Sequence, residues 1–126
     1  MNNLPDLTEL MEELEAIKKS GIKVIVEGKL DKEALNELGI DNVYVLHKIG
    51  RGLSEGIEQF IETLKKKETI ALLTDLDSQG EEYYKLIKDE LSKNGIKINN
   101  KLRIILKDLK VSHIEGLSSF VSDKQM

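Results

Sequence analysis

Short β-branched runs alternate with amphipathic segments along the chain, and that alternation constrains the fold more than any other feature. Ile22 to Val26, Val43 to Leu46, Thr69 to Thr74 and Leu102 to Leu106 are short apolar runs of the kind that form strands buried on both faces. The segments between them read as helices. Leu7, Leu10, Met11, Leu14 and Ile17 recur at helical spacing, and Gly21 closes that first helix, placed at 6–19. Asp31 can cap a second helix carrying Ala34, Leu35 and Leu38, which Gly39 ends. The turn Gly50-Arg51-Gly52 leads into a third, with Leu53, Ile57, Phe60, Ile61 and Leu64 on one face. Ser78 followed by Glu81 fits a capping box for a long fourth helix that stops at Asn94-Gly95. The pattern predicts a compact α/β fold of about four mainly parallel strands with helices on both faces. A short helical turn or more is expected in the tail from Ile114.

With 126 residues and no linker, repeat or low-complexity tract, the chain is expected to be one domain over 1–126, with a core at about 21–106 and a tail at 107–126. A chain of this size needs no metal or disulfide to hold its core, and without cysteine it has no thiolate zinc site. A net charge of −4 argues against a protein that coats nucleic acid non-specifically, and 4% aromatics against a base-stacking platform. The charge is uneven: Asp6 to Glu15 holds five acids and no base, whereas Lys85 to Lys110 holds eight bases against three acids. A local basic face is therefore allowed. No apolar run approaches the roughly 20 residues of a membrane span, and the acidic N-terminus is unlike a signal peptide. Cytoplasmic location is the expectation.

Parallel sheets bind ligands beyond the carboxyl ends of their strands, so the residues after Val26, Leu46, Thr74 and Leu106 matter most. Three acids stand there: Glu27, Asp75 and Asp77. A carboxylate directly after an apolar strand is costly unless it is paired or binds a cation. Asp75 and Asp77 are two apart and can lean toward one site, which Glu27 joins if the first and third strands are neighbours. Converging carboxylates repel, a divalent cation relieves the repulsion, and Mg2+ prefers such hard oxygen donors. The bland alternative is that each acid is a helix cap or turn former, and Asp77 beside Ser78 is the most exposed to it. Arg51 between two glycines suits bidentate phosphate contact or is simply a solvated turn residue. His113 and Glu115 follow the last expected strand and are within chain reach of the site, although a single His there is more often structural.

Val26-Glu27-Gly28-Lys29-Leu30-Asp31, followed about fifty residues on by Thr74-Asp75-Leu76-Asp77-Ser78-Gln79-Gly80, resembles the Toprim domain. That domain is shared by topoisomerases, bacterial primases, recombination-repair proteins and certain nucleases. The resemblance implies a Rossmann-like Toprim fold and assigns roles. Glu27 would be a general acid or base and sometimes a member of the metal site. Asp75 and Asp77 would bind Mg2+, with Mn2+ as a substitute, and Lys29 would pair with a phosphate oxygen. Gly28 and Gly80 would keep the backbone open near phosphate, and Asp31 would orient the loop rather than bind metal.

A Walker A loop does not fit, because Gly21 and Gly28 enclose six residues and Leu30 stands where a hydroxyl is needed. A haloacid-dehalogenase-type phosphatase remains a minor alternative for the D-x-D, but Gln79 replaces its usual Thr. Length and missing cysteines make the large and zinc-bearing Toprim proteins poor matches. What remains resembles small stand-alone members, the catalytic domain of the nuclease that matures ribosomal RNA, and that of bacterial primases. The expectation is Mg-dependent phosphodiester cleavage or phosphoryl transfer on nucleic acid, RNA before DNA, with Glu27, Lys29 and Arg51 as catalytic residues. The alternative is a non-catalytic Toprim module that binds metal and nucleic acid and serves a partner protein.

Overall fold

The computed structural model describes residues 7–46, 53–64 and 68–125. Helix α1 (Thr8–Ser20) leads to β1 (Lys23–Val26), then α2 (Lys29–Glu37), β2 (Val43–Val45), α3 (Leu53–Glu62), β3 (Thr69–Leu73) and α4 (Ser78–Lys93). After β4 (Lys97–Asn99) come α5 (Lys101–Asp108), a single 3-10 turn (Ile114–Gly116) and α6 (Leu117–Gln125). The four strands form one sheet in the order β2-β1-β3-β4, and every neighbouring pair is parallel.

The period-2 alternation of the strands divides the core in two. Val24 and Val26 of β1 and Ala71 and Leu73 of β3 pack against Leu10, Leu14, Leu35, Leu102 and Leu106. Ile25, Ile70 and Leu72 point the other way, onto Ile57, Phe60, Ile87 and Leu91. Thus α1, α2, α5 and α6 cover one face and α3 and α4 the other. This is the α/β architecture that the alternation of runs predicts. Helix α1 ends at Gly21 in the left-handed conformation (φ 68°), as its pattern requires. Among the described residues no helix is long and apolar enough to cross a membrane.

One expected strand is a helix. Leu102 to Leu106 lies in α5, and the fourth strand is the shorter Lys97–Asn99. The reason is visible in the spacing of its buried residues. Leu102, Ile105 and Leu106, at i, i+3 and i+4, are buried, while Ile104 between them is 51% exposed. The strand itself has only Ile98 between Lys97 and Asn99, a short polar-flanked segment suited to a sheet edge. A second correction concerns the start of α4. Asp77, not Ser78, is its N-cap, and Ser78 is the first helical residue.

The strand order places β1 between β2 and β3. The chain moves from β1 to one side for β2 and to the other for β3, so the direction of winding switches between β1 and β3. Ligand sites in open parallel sheets form at such a switch, beyond the carboxyl ends of the strands. Glu27 and Asp75 leave the sheet there.

Candidate metal centre

Val26, the last residue of β1, lies beside Leu73, the last of β3. The sequence could not show that these strands are neighbours; the sheet register does. Beyond the pair the Asp75 N–H donates to Glu27 Oε2 at 2.7 Å, joining the two motifs. Asp75 Oδ1 accepts the Ile114 N–H at 2.9 Å. The Asp77 side chain caps α4 by accepting the Gly80 N–H at 2.8 Å through Oδ1. Its other oxygen, Oδ2, lies 3.4 Å from His113 Nε2. Capping and site membership are therefore compatible in one carboxylate.

Asp75, Asp77 and His113 each offer a ligating atom, and the three atoms lie within 4.8 Å of one another. Ligand atoms around a small divalent cation at 2.0–2.1 Å stand about 3–4 Å apart, so closure by up to about 2 Å brings all three donors onto one cation, with water filling the remaining positions. Two carboxylates and an imidazole are a chemically competent donor set. The residues fit the divalent cation that the Toprim pattern implies. Glu27 is not one of these three; it stands beside them on the Asp75 backbone.

The D-x-D turn rests on a buried arginine that belongs to none of the sequence motifs. Arg103 of α5 is only 5% exposed. Its Nη1 donates to the Thr74 carbonyl at 2.5 Å, and its Nη2 to the Asp75 carbonyl at 3.1 Å and to Glu81 Oε1 at 2.9 Å. The guanidinium also lies over the Tyr84 ring, 4.3 Å from its centroid. The planar fork of Arg suits this multiple recognition, which Lys cannot reproduce. Glu81, expected to complete a capping box, faces Arg103 instead. A usable signal was present. Among two arginines and seventeen lysines, one arginine interrupts the apolar run Leu102 to Leu106.

Gly80 completes the turn. The Thr74 hydroxyl donates to its carbonyl at 2.7 Å, and a Cβ on Gly80 would fall 1.9 Å from the Asp75 carbonyl oxygen. Close packing of α4 on the D-x-D turn therefore requires glycine at this position. Gly28 differs: a Cβ there would stand 3.8 Å from Asp31 Oδ2, an ordinary contact.

Asp31 is the third residue of α2, and its Oδ2 accepts the Gly28 N–H at 3.0 Å. It is an orienter of the Glu27-Gly28-Lys29 loop and not the N-cap, which is Gly28. Burial, followed by the nearby Asp75 charge, raises its carboxyl from the ordinary 3.8 to about 6, with Glu27 and Glu115 adding to the rise and the Gly28 hydrogen bond opposing it. Lys29, exposed, is the first residue of α2 at the same edge. Arg51 lies outside the described residues.

The basic stretch from Lys85 to Lys110 is not one free face. Lys93 lies near Asp89 and Glu90, Lys101 near the buried Glu13 of α1, and Arg103 is internal.

A four-stranded parallel α/β sheet with an acidic D-x-D corner at its switch point, faced by a glutamate from the adjoining strand, defines the Toprim class. The Toprim-like family matches residues 24–110, and the chain belongs to it. It is 35% identical to a UPF0292 protein of Methanocaldococcus jannaschii, over 94% of this chain and 91% of that one. A UPF0292 protein of Methanosarcina acetivorans is 32% identical over 94% of this chain and 82% of its own length. The fold is also similar to a solved structure of an Aquifex aeolicus protein, with a TM-score of 0.73 and 32% identity, covering 87% of this chain and 96% of that one.

Proposed function

We propose that this Toprim protein is a divalent-metal-dependent phosphodiesterase or phosphoryl transferase acting on nucleic acid, with RNA ahead of DNA as substrate. The observation that carries the reading is the junction of Glu27 with the D-x-D turn at the sheet's switch point, through the 2.7 Å hydrogen bond from the Asp75 N–H. Asp75 and Asp77 are the residues that hold the cation, of the Mg2+ or Mn2+ class. Bound there, it would polarise the scissile phosphate and offset charge developing on its oxygens.

Glu27 takes or returns a proton as general base or acid, its carboxylate steadied by the Asp75 N–H. Lys29 supplies an ammonium to a phosphate oxygen at the first turn of α2, where helix polarity also favours an anion. Arg51 is assigned a second phosphate contact on its sequence context alone. A groove along α2 lined by Lys29, Lys32, Glu33, Asn36 and Tyr44 supports the nucleic-acid reading, because it offers two ammonium groups against one carboxylate for a backbone running away from the acids. RNA is placed first because of the resemblance to the ribosomal-RNA maturation nuclease.

The test is incubation of the protein with labelled structured RNA and with single- and double-stranded DNA, in Mg2+, Mn2+ or EDTA. Metal-dependent products are expected, with Asp75→Asn abolishing them and Glu27→Gln slowing the reaction by about 10²–10⁴-fold. Cutting by Asp75→Asn at the parent rate overturns the mechanism. Tight metal-dependent binding without products instead identifies a non-catalytic module.

A further inference from the structure

The acids named by the Toprim pattern are Glu27, Asp75 and Asp77, yet a further side chain, that of His113, lies 3.4 Å from the outer oxygen of Asp77. His113 is held there by its neighbours in sequence on both sides. The Leu76 N–H, inside the D-x-D turn, donates to the Ser112 carbonyl at 2.8 Å. The Ile114 N–H donates to Asp75 Oδ1 at 2.9 Å, and the Ile114 side chain is fully buried in the core. The residue between them is thus fastened to the turn while its ring faces the acids. Lys110, left-handed at φ 61°, ends α5 and redirects the chain into this segment.

The ring's other nitrogen is also placed. His113 Nδ1 lies 3.0 Å from Ser112 Oγ, which can accept the Nδ1–H. With a cation between Nε2 and Asp77, that tautomer presents the Nε2 lone pair to the metal, the arrangement by which a hydrogen bond at one ring nitrogen orients the other. Without the cation, an Nε2–H directed at Asp77 is the favoured form.

We infer that His113 is a direct ligand, through Nε2, of the same cation that Asp75 and Asp77 hold, and that the site prefers Mn2+ to Mg2+. The inference rests on the proposed metal site and adds a third donor to it. Its consequence is chemical. An all-carboxylate site suits Mg2+, whereas an imidazole nitrogen contributes little to that hard ion and more to a first-row transition cation. The sequence allowed His113 to reach the site but favoured a structural role; the backbone bonds on either side of it carry the argument beyond that.

The experiment measures binding of Mn2+ and of Mg2+, each alone, to the full chain by calorimetry, with electron paramagnetic resonance of the bound Mn2+. The expected result is Mn2+ bound at least about 10-fold more tightly than Mg2+, with a nitrogen hyperfine coupling from the imidazole. His113→Ala should lose that coupling, weaken Mn2+ by about 10-fold or more, and change Mg2+ affinity by less than about 2-fold. Because His113 is exposed, its thermal unfolding should match the parent's. Asp75→Asn should lose both cations. Mn2+ binding that depends on Asp75 but shows no nitrogen coupling overturns the role of His113 and leaves the metal site standing. A parent that binds neither cation overturns the metal site itself.

Discussion

Two ionisable side chains, both nearly inaccessible to water, sit at the same edge of the sheet and behave in opposite ways. Arg103 beneath the D-x-D turn is 5% exposed, and Asp31 beneath the Glu27 loop is 7% exposed. Arg103 is surrounded by two carbonyls, a carboxylate and an aromatic face, so its charge is matched on several sides. Asp31 has one backbone N–H and looks toward Asp75, Glu27 and Glu115, and its carboxyl rises to about 6. The difference teaches how the site is built. A compensated buried charge fixes geometry, whereas an uncompensated one adds to a negative field that a bound cation would relieve.

The largest effect should come from removing the compensated charge. Arg103→Met leaves the Thr74 carbonyl and Glu81 without their donor, so urea unfolding should show a loss of about 3 kcal/mol or more. Divalent-cation binding should fall with it, because the turn carrying Asp75 and Asp77 loses its support. If Arg103→Met is as stable as the parent, the guanidinium is not what holds the turn.

Next comes Gly80→Ala. The new Cβ would lie 1.9 Å from the Asp75 carbonyl oxygen, so backbone must move and about 3 kcal/mol should be lost by the same measurement.

Asp31 should respond with the opposite sign. A folded-state value near 6, above the ordinary 3.8, means that the folded chain holds this proton more tightly than the unfolded chain. Its stabilising contribution is complete below about pH 4 and is lost as pH rises through 6. Asp31→Asn keeps an acceptor for the Gly28 N–H but carries no charge. In metal-free buffer at pH 7.5 it should be more stable than the parent by about 1–2 kcal/mol, and the gap should close toward pH 4. The same variant should bind a divalent cation a few-fold more weakly. A variant less stable than the parent at pH 7.5 would remove Asp31 from the comparison.

The smallest effect belongs to Gly28→Ala. Its Cβ meets only Asp31 Oδ2 at 3.8 Å, and α2 loses a slightly better N-cap, so less than about 1 kcal/mol should change. Equal losses from Gly80→Ala and Gly28→Ala would show that the two glycines share one role.

Much of the fold was legible because the strands are buried on both faces and their apolar runs are continuous. Ile22 to Val26 and Thr69 to Thr74 read correctly to within a residue or so. The misreading of Leu102 to Leu106 has the same origin: a short apolar run is ambiguous between strand and buried helix, and only its i, i+3, i+4 burial decides. β4, an edge strand of three residues with one apolar side chain, carries almost no pattern. In the site, Asp75 and Asp77 announced themselves by their spacing after a strand. Arg103 did not, because its partners are backbone carbonyls 28 and 29 residues away.

The sequence by itself determined the α/β class, the acids at the strand ends and the family, since these depend on local periodicity and on motifs contiguous in the chain. Tertiary structure alone decided that β1 and β3 are neighbours, that Asp75 and Glu27 share a hydrogen bond, and that His113 is fastened beside Asp77. Those facts depend on strand order and on where the chain returns after α5. Both are set by packing between distant segments, which no local pattern encodes.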